Sequence, residues 1–196
     1  MVTQSKPPGM SGPSRAADAG LRLKTFRSAG EYQLVLEAAR KLQESGFYWS
    51  AVSGGEANAL LRAEPAGTFL IRDSSDQRHL FTLSVKTEAG TKNLRIQCEG
   101  GSFALQSDPR GQPVPRFDCV LKLVQHYMPR RPQRAYYIYS GGEKIPLVLS
   151  RPLPASVSSL QHLCRKTVNG HRDACDKVAQ LPGPIQDFLG QYDAPL

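Results

Sequence analysis

Apolar side chains recur with a helical period soon after Ser28. They fall at spacings of three and four residues and form one stripe: Tyr32, Val35, Leu36, Ala39 and Leu42. Ser28 and Glu31 have the spacing of a capping box, in which each residue satisfies a free backbone N–H of the first turn. Gly46 lies where a helix commonly ends in the left-handed conformation. The pattern predicts an amphipathic helix over residues 29–46.

Residues 47–149 combine helical and alternating patterns and therefore predict a compact α+β domain. Three segments alternate as strands do: 67–75, 79–87 and 91–97. The turns between these segments are short, so we expect an antiparallel sheet in which the second strand is half-buried. Residues 54–64 and 117–128 have helical periodicity, and the second of them has its apolar positions at Val120, Leu121, Val124 and Tyr127.

Residues 151–196 have the pattern of several short helices after a Pro-containing linker at 151–156. A helix over 159–168 would carry Leu160, Leu163, Cys164 and Val168 on one face. A second helix is predicted from Asp173 to about Leu181, and a third begins with Pro184 as its first residue. Three short helices bury too little apolar surface to be stable alone, so this tail should pack on the main domain or on a partner.

Composition narrows the functional classes. Hydrophobic residues make up 40% of the 196 residues, enough for a packed core, whereas residues 1–20 have almost no large apolar side chains and are predicted to be disordered. No apolar stretch approaches the length of a membrane span or of a secretory signal, and we expect the four cysteines to be reduced.

The net charge of +8 favours phosphate-bearing partners. Nucleic-acid binding would rest on that charge alone, so it is not predicted.

Arg72 is the side chain that most clearly indicates chemistry. It ends an apolar strand, where alternation points Phe69 and Ile71 to one face and Leu70 and Arg72 to the other. A buried guanidinium requires a partner, and together with hydroxyl and backbone donors it fits a phosphate dianion. The following loop supplies such donors at Ser74 and Ser75, and Arg95 could converge on the same anion. The alternative is an ion pair of Arg72 with a carboxylate of the same domain, Asp73 or Asp76.

Catalytic and metal-binding motifs were considered and set aside. The residues that could form a zinc site are His162, Cys164, His171 and Cys175. His162 and Cys164, however, are two residues apart on a helix, so their side chains point in different directions and do not easily bind one metal ion. No nucleophile elbow, zinc-protease motif or phosphate-binding glycine loop is present. We therefore predict a protein that is not an enzyme and has no catalytic residue, metal or cofactor.

Residues 47–149 resemble an SH2 domain through FYWSAV (47–52), GTFLIRDSS (67–75), LFTLSVKT (80–87) and TKNLRIQ (91–97). The resemblance implies a central antiparallel sheet flanked by two helices, with the helix over 29–46 as an N-terminal extension. It also implies that Arg72 grips the phosphate of a phosphotyrosine, with Ser74, Ser75 and Arg95 in support.

The tail resembles a SOCS box, which implies three helices over residues 151–196. By this resemblance, SLQHLCRKTV (159–168) places Leu160, Leu163 and Cys164 in a pocket of elongin C. LPGP, which consists of Leu181, Pro182, Gly183 and Pro184, resembles the motif that contacts a cullin. The spacing alone would favour the alternative, in which these residues form the tail's own hydrophobic core.

The order of these parts is similar to that of the suppressor of cytokine signalling family, and the resemblance extends over residues 21–196. It implies that LRLKTFRSAGEYQL (21–34) is a kinase inhibitory region that occupies the substrate groove of a Janus kinase. The apolar anchors would be Leu23 and Phe26, and Lys24, Thr25 and Arg27 would accompany them. Composition alone would favour a disordered tether for this segment.

The implied protein suppresses cytokine signalling through the JAK-STAT pathway. Its implied partners are phosphotyrosine peptides of cytokine receptors, including the shared receptor chain of the interleukin-six type, Janus kinases, elongin B, elongin C and a cullin scaffold. It would be cytoplasmic and recruited to activated receptors at the plasma membrane, without inserting into the membrane. A phosphotyrosine adaptor without ligase recruitment is the alternative.

The sequence departs from this family in two places. A long Pro-, Ser- and Glu-rich insert is expected before the last strands, but only PRRPQR (129–134) stands there, as a natural short form or an engineered deletion. Cys175 occupies a position where the family suggests tyrosine, so Tyr192 is the remaining candidate for phosphorylation in this tail.

Overall fold

The computed structural model describes residues 26–107, 114–128, 136–140, 142–171 and 176–196. Predictions that concern residues 1–20, Leu23, Lys24, Thr25, 129–134 and Cys175 lie outside these residues. In chain order the elements are α1 (Ala29–Ser45), α2 (Gly54–Leu61), β1 (Thr68–Asp73), β2 (Phe81–Thr87), β3 (Gly90–Glu99), β4 (Ser102–Leu105), α3 (Val120–Tyr127), β5 (Tyr136–Ser140), β6 (Glu143–Leu147), β7 (Arg151–Pro152), α4 (Leu160–Gly170), a 3₁₀ helix (Asp176–Gln180) and α5 (Gly183–Gly190).

Helix α1 begins and ends close to where the sequence predicts. The Ser28 side chain accepts a hydrogen bond from the backbone N–H of Glu31, and Gly46 ends the helix with φ of 80°. The capping box is only half formed, because the Glu31 carboxylate accepts from the backbone N–H of Arg27 rather than of Ser28. The buried side chains of the helix include Val35, Ala39 and Leu42, which confirms the inward face of the stripe.

The central sheet has five strands in the order β4-β3-β2-β1-β7. Strands β1 to β4 pair antiparallel through short connections, as predicted, whereas β7 pairs with β1 in parallel. The pairs of strands β1, β2 and β3 place Arg72 beside Thr82 and Thr82 beside Arg95. Because paired residues share a face of the sheet, these three side chains lie on one side.

The two faces of the sheet contribute to separate hydrophobic clusters. Phe69 and Ile71 lie in the main core with α1 and α3, whereas Leu70 lies in a smaller cluster with Ala57 and Leu61 of α2. This division confirms the alternation predicted for β1. The prediction that the second strand is half-buried is wrong, because α2 covers the face that was expected to be exposed and most of β2 is buried.

Several element boundaries differ from the sequence prediction for local reasons. Helix α2 ends at Leu61 rather than at residue 64, and single turns lead into Pro65. Helix α3 starts at Val120 rather than at residue 117, because Phe117 is bonded to Phe103 as an isolated β-bridge. Strands β4 and β7 are too short to leave a periodic pattern in the sequence, so they were missed.

Residues 151–156 were predicted to be a linker, but hydrogen bonds hold them against the main domain. Arg151 and Pro152 pair with β1, and the backbone N–H of Leu153 donates to Phe69 O at 2.7 Å. The Trp49 indole donates to Leu153 O at 3.0 Å, and Ala155 N donates to Gly46 O at 2.7 Å. The connection to the tail is therefore ordered.

The tail differs from three regular α-helices. The segment expected to form the second helix is a 3₁₀ helix over Asp176–Gln180 where it is described. Pro184 is the second rather than the first residue of α5, because Pro182 is its N-cap. Both positions suit proline, since the first-turn N–H groups of a helix have no partner within it.

The end of the chain completes the main core. Tyr192, Ala194 and Leu196 belong to the same cluster as Phe69 and Ile71 of the central sheet. Tyr192 is fully buried, and its hydroxyl donates to Leu196 O at 2.6 Å. An ion pair of 2.8 Å between Lys41 of α1 and Asp193 joins the same two segments. The tail and the main domain therefore form one folding unit.

Among the described residues, no helix is both long enough and apolar enough to cross a membrane. The cysteines recorded as free thiols in this part of the chain are Cys98, Cys119 and Cys164. Burial raises the pKa of Cys98 to about 11 and also raises the pKa of Cys119, so both thiols stay protonated at neutral pH.

Replacing Tyr192 with alanine should lower the free energy of unfolding of the whole domain by about 3–5 kcal/mol, because it opens a cavity in the main core. Tyr139→Ala is the matched control, since Tyr139 is 75% exposed and its loss should change stability by less than about 0.5 kcal/mol. Denaturant unfolding followed by fluorescence and by circular dichroism measures both variants. Equal stability of the two variants would contradict the docked tail.

Candidate functional site

Arg72 lies at the end of β1 with only 5% of its surface exposed. Its Nε donates to Ser84 Oγ at 3.2 Å, Nη1 to the backbone oxygen of Asp73 at 3.1 Å and Nη2 to Asn93 Oδ1 at 3.3 Å. All three acceptors are neutral. Among the described residues, no carboxylate lies within ion-pair distance of this guanidinium, so its hydrogen bonds in this part of the chain are all to neutral groups.

The two carboxylates that the sequence offered as partners of Arg72 are engaged elsewhere. Asp73 accepts a hydrogen bond from the Tyr48 hydroxyl. Asp76 accepts from the backbone and the guanidinium of Arg78, and these hydrogen bonds hold the pKa of the Asp76 carboxyl well below its usual value. The structure therefore does not support the intradomain ion pair that was the alternative at Arg72.

Burial lowers the pKa of Arg72, and the charge of Asp73 opposes this effect in part. An arginine remains protonated even with such a shift, because its ordinary pKa is above 12. Its charge is consequently expensive to bury and is available to an incoming anion.

The two predicted loop hydroxyls differ in their surroundings. Ser74 is buried, and its Oγ accepts from the backbone N–H of Asp76 at 3.2 Å, which shapes the turn that follows β1. Ser75 is exposed at the tip of this loop. Both residues directly follow the strand that carries Arg72, so small movements of one loop would bring further donors to the same anion.

Arg95 shares the face of Arg72 but lies two strands away, roughly 10 Å at ordinary strand spacing. Its side chain is 46% exposed, with Nε 3.6 Å from Asp76 Oδ2 and Nη1 3.5 Å from Gln106 Oε1. Both contacts are long, and they leave the guanidinium able to turn toward the space between β1 and β3.

Sequence reasoning missed the residues that hold Arg72 in place. Ser84 and Asn93 are paired with each other on β2 and β3, and Ser84 Oγ donates to Asn93 Oδ1 at 2.7 Å. Gly54 in the first turn of α2 faces Arg72, and a Cβ there would lie 3.3 Å from Nη2. The alternating pattern of each strand indicated the correct faces, but the pairing of strands that brings them together was not readable from it.

This arrangement can bind an anion, and tetrahedral oxyanions suit it best. A planar guanidinium offers two parallel N–H groups. Arg95 lies on the same face of the sheet, and the hydroxyls of Ser74 and Ser75 lie in the loop that directly follows β1. The described residues include no cluster of three or more histidine, cysteine or acidic side chains that could hold a metal ion.

Helix α4 of the tail has its polar side buried and its apolar side exposed. His162, Arg165 and Asn169 are buried, whereas Leu160 is 77% exposed and Leu163 is 46% exposed. Cys164 is exposed as well. The predicted stripe therefore faces solvent at Leu160, Leu163 and Cys164, whereas Val168 at its end is half-buried.

Polar contacts to the main domain explain this orientation. Arg165 forms an ion pair with Glu44 of α1 and stacks on the rings of Phe188 and Tyr192. It also contacts His162 Nδ1 at 2.9 Å, so the neutral imidazole serves as an acceptor. Burial and, next in size, the charge of Arg165 lower the pKa of His162. These contacts offset the cost of burying the Arg165 cation, although its Nε is buried without a hydrogen-bond partner among the described residues.

The other predicted tail residues lie at the surface or in the core. Pro182, Gly183 and Pro184 are exposed before and within the first turn of α5, and Leu181 is half-buried. Tyr192, the candidate for phosphorylation, is fully buried with its hydroxyl bonded to Leu196 O. Its hydroxyl is inaccessible while the tail is docked.

Phe26 and Arg27 are the described residues of the predicted inhibitory segment. The Phe26 ring packs edge-on against Tyr32 at 5.1 Å and is half-buried against the main core. Arg27 is mostly exposed and lies 3.2 Å from Glu99 at the end of β3. This end of the segment therefore rests on the domain, next to the turn between β3 and β4.

Two comparisons with known proteins bear on this site. The family model described as "SH2 domain" matches residues 47–145, which contain Arg72 and all three strands around it. This match confirms the predicted fold class.

Curated relatives match over the full chain. "Suppressor of cytokine signaling 3" of Gallus gallus is 73% identical and that of Homo sapiens is 69% identical, each with 100% of both chains covered. "Suppressor of cytokine signaling 2" of Homo sapiens is 39% identical over 80% of this chain and 79% of that protein. The alignment with the human "Suppressor of cytokine signaling 3" extends over 226 positions, whereas this chain has 196 residues. That relative therefore contains segments that this chain lacks.

Proposed function

Because the chain belongs to the suppressor of cytokine signalling family, we propose that it lowers cytokine signalling by binding phosphotyrosine at Arg72 of its SH2 domain. The observation that carries this proposal is the buried Arg72 guanidinium, whose hydrogen-bond partners among the described residues are all neutral. A phosphate dianion would supply the missing counter-charge in bidentate geometry, with Ser74, Ser75 and Arg95 completing the site.

Arg72→Lys should weaken binding of phosphotyrosine peptides by about 2–3 kcal/mol or more, because an ammonium cannot make two parallel hydrogen bonds. Arg78→Lys is the matched control, since Arg78 is exposed in the same loop and, among the described residues, forms its ion pair with Asp76. Calorimetric titration with phosphorylated and unphosphorylated peptides measures both variants. Affinity should also decline below about pH 6, where the phosphate monoester takes up a proton. Undiminished binding by Arg72→Lys would refute the site.

The outward apolar face of α4 supports a second proposal, that the tail recruits elongin C and elongin B and, through Leu181 to Pro184, a cullin scaffold. Leu160, Leu163 and Cys164 occupy positions i, i+3 and i+4, the spacing with which a helix fills a hydrophobic groove. Exposed leucines on a helix whose opposite side is already docked need another partner to be buried. In this proposal the protein is the substrate-recognition adaptor of a ubiquitin ligase.

Leu160→Asp should abolish co-purification with elongin B and elongin C, because it places a charge in an apolar groove. Gln161→Asp adds the same charge to the next residue of α4, which is also exposed, and should retain the complex. The thermal stability of both variants should match that of the parent. Retention of the elongins by Leu160→Asp would favour the alternative, a phosphotyrosine adaptor whose tail only packs on its own domain.

The segment near Phe26 supports a third proposal, inhibition of a Janus kinase. Phe26 is only half-buried, so part of its ring remains available to a partner. The exposed Arg27 guanidinium beside it would face acidic kinase surface. Binding of the SH2 domain to a receptor would raise the local concentration of this segment near the receptor-associated kinase. The protein would accordingly act in the cytoplasm, at activated receptors of the interleukin-six type.

Phe26→Ala should lose kinase inhibition in a peptide-phosphorylation assay and keep its phosphopeptide affinity within about twofold. Leu36→Ala is the control for lost packing, because Leu36 is also half-buried against the main core but lies outside the segment 21–34. We expect each variant to lose about 1–2 kcal/mol of stability, because the Phe26 ring and the Leu36 side chain are both only partly buried. Equal inhibition by the two variants would contradict an anchoring role of Phe26.

A further inference from the structure

A groove of about 530 Å³ lies where the tail meets the main domain. It lies between the end of α1, the connection before α4, and α4 itself. Most of its lining side chains are apolar, and they are Phe47, Pro152, Pro154, Ala155, Val157 and Leu163. Its volume falls within the range of about 300–1,000 Å³ that is common for the sites of small organic ligands.

Lys166 of α4 brings a positive charge to this groove. Among the described residues that line the groove, no acidic side chain accompanies it. Lys166 is half-buried, and burial lowers the pKa of its ammonium. A charge that has lost part of its water without gaining a partner is unfavourable in a protein. The groove therefore combines an apolar lining with an uncompensated cation.

The other half-buried lysines in the described part of the chain have partners. Each of them donates to an oxygen of the fold, and they are Lys41, Lys86, Lys92 and Lys122. Lys166 Nζ, in contrast, has no acceptor within hydrogen-bond distance among the described residues. The missing acceptor is consequently a local property of this groove.

A small molecule with one negative charge would match this lining. A carboxylate oxygen can accept from the ammonium, and the hydroxyl groups of Ser156 and Ser158 line the same groove as further donors. A phosphate dianion would bring a second negative charge, for which the described lining has no second cation. A groove of this volume holds one small ligand, whereas a stable protein interface buries roughly 800 Å² on each partner.

We propose that this groove binds a small amphipathic monocarboxylate, such as a medium-chain fatty acid, with its carboxylate on Lys166 Nζ and its apolar body against Leu163 and the connection before α4. The inference does not rest on the phosphotyrosine site. Because Leu163 also belongs to the outward face of α4, a bound ligand would contact the surface that we propose for elongin C.

The test titrates octanoate into the isotope-labelled full chain without elongins and follows the amide NMR signals of Gly46, Ala155 and Leu163. Octanoate should bind with a Kd of about 1 mM or tighter. The uncharged 1-octanol has the same apolar body and should bind at least about fivefold more weakly. Octanoate should also raise the pKa of Lys166, measured from its side-chain NMR signals, because a bound carboxylate favours the charged ammonium.

Three variants separate the role of Lys166 from general charge. Lys166→Gln should weaken octanoate binding at least about fivefold, and Lys166→Arg should keep it within about threefold, since the charge remains. Lys177→Gln removes the same charge from an exposed residue of the tail that does not line the groove, and it should bind within about twofold of the parent. Lys166→Gln should melt at or above the parent temperature, because it removes an unpaired, half-buried charge.

Equal octanoate affinity of Lys166→Gln and Lys177→Gln, equal affinity of the parent for octanoate and 1-octanol, or an unchanged pKa of Lys166 would each overturn the inference. A capped Leu-Glu-Leu peptide is the competing ligand. If it binds the same groove more tightly than octanoate, the occupant is a segment of a partner protein and the proposal is wrong.

Discussion

Burial of the Arg72 guanidinium, with no carboxylate beside it in the described part of the chain, is the constraint on which the arrangement of this domain depends. Isolated charges are costly to remove from water, so the chain surrounds Arg72 with a hydroxyl, a backbone carbonyl and an amide oxygen drawn from three strands. The neighbouring carboxylates are occupied by Tyr48 and Arg78. Such a site tolerates the charge without cancelling it, and this is the condition for strong attraction of a phosphate.

The sequence reveals which face of each strand carries Arg72, because alternation along a strand depends only on neighbours in the chain. It does not reveal the partners of Arg72. Ser84 and Asn93 meet only through the register of β2 against β3, and a shift of β3 by one residue would have turned Asn93 to the opposite face. The loop serines could be predicted because they follow Arg72 directly in the chain. Gly54 could not be predicted, because it matters only by leaving space for Arg72, and no pattern in the sequence marks that space.

Helix α4 illustrates a different limit of sequence reasoning. Periodicity correctly identifies an apolar stripe, but it cannot tell whether that stripe packs inward or awaits another molecule. The orientation is decided by the ion pair of Arg165 with Glu44, whose two residues are far apart in the chain. Strands β4 and β7 could not be predicted either. They have four and two residues, too few for a periodic pattern, and they are strands because they pair with β3 and β1.

The ordered connection after β6 has a mechanical consequence. Hydrogen bonds to Phe69, Trp49 and Gly46 hold this stretch along its length, so it cannot act as a swivel. The exposed face of α4 therefore keeps a fixed direction relative to β1, which carries Arg72. A molecule that bound to the exposed face of α4 would therefore be held in a fixed orientation relative to a ligand of Arg72.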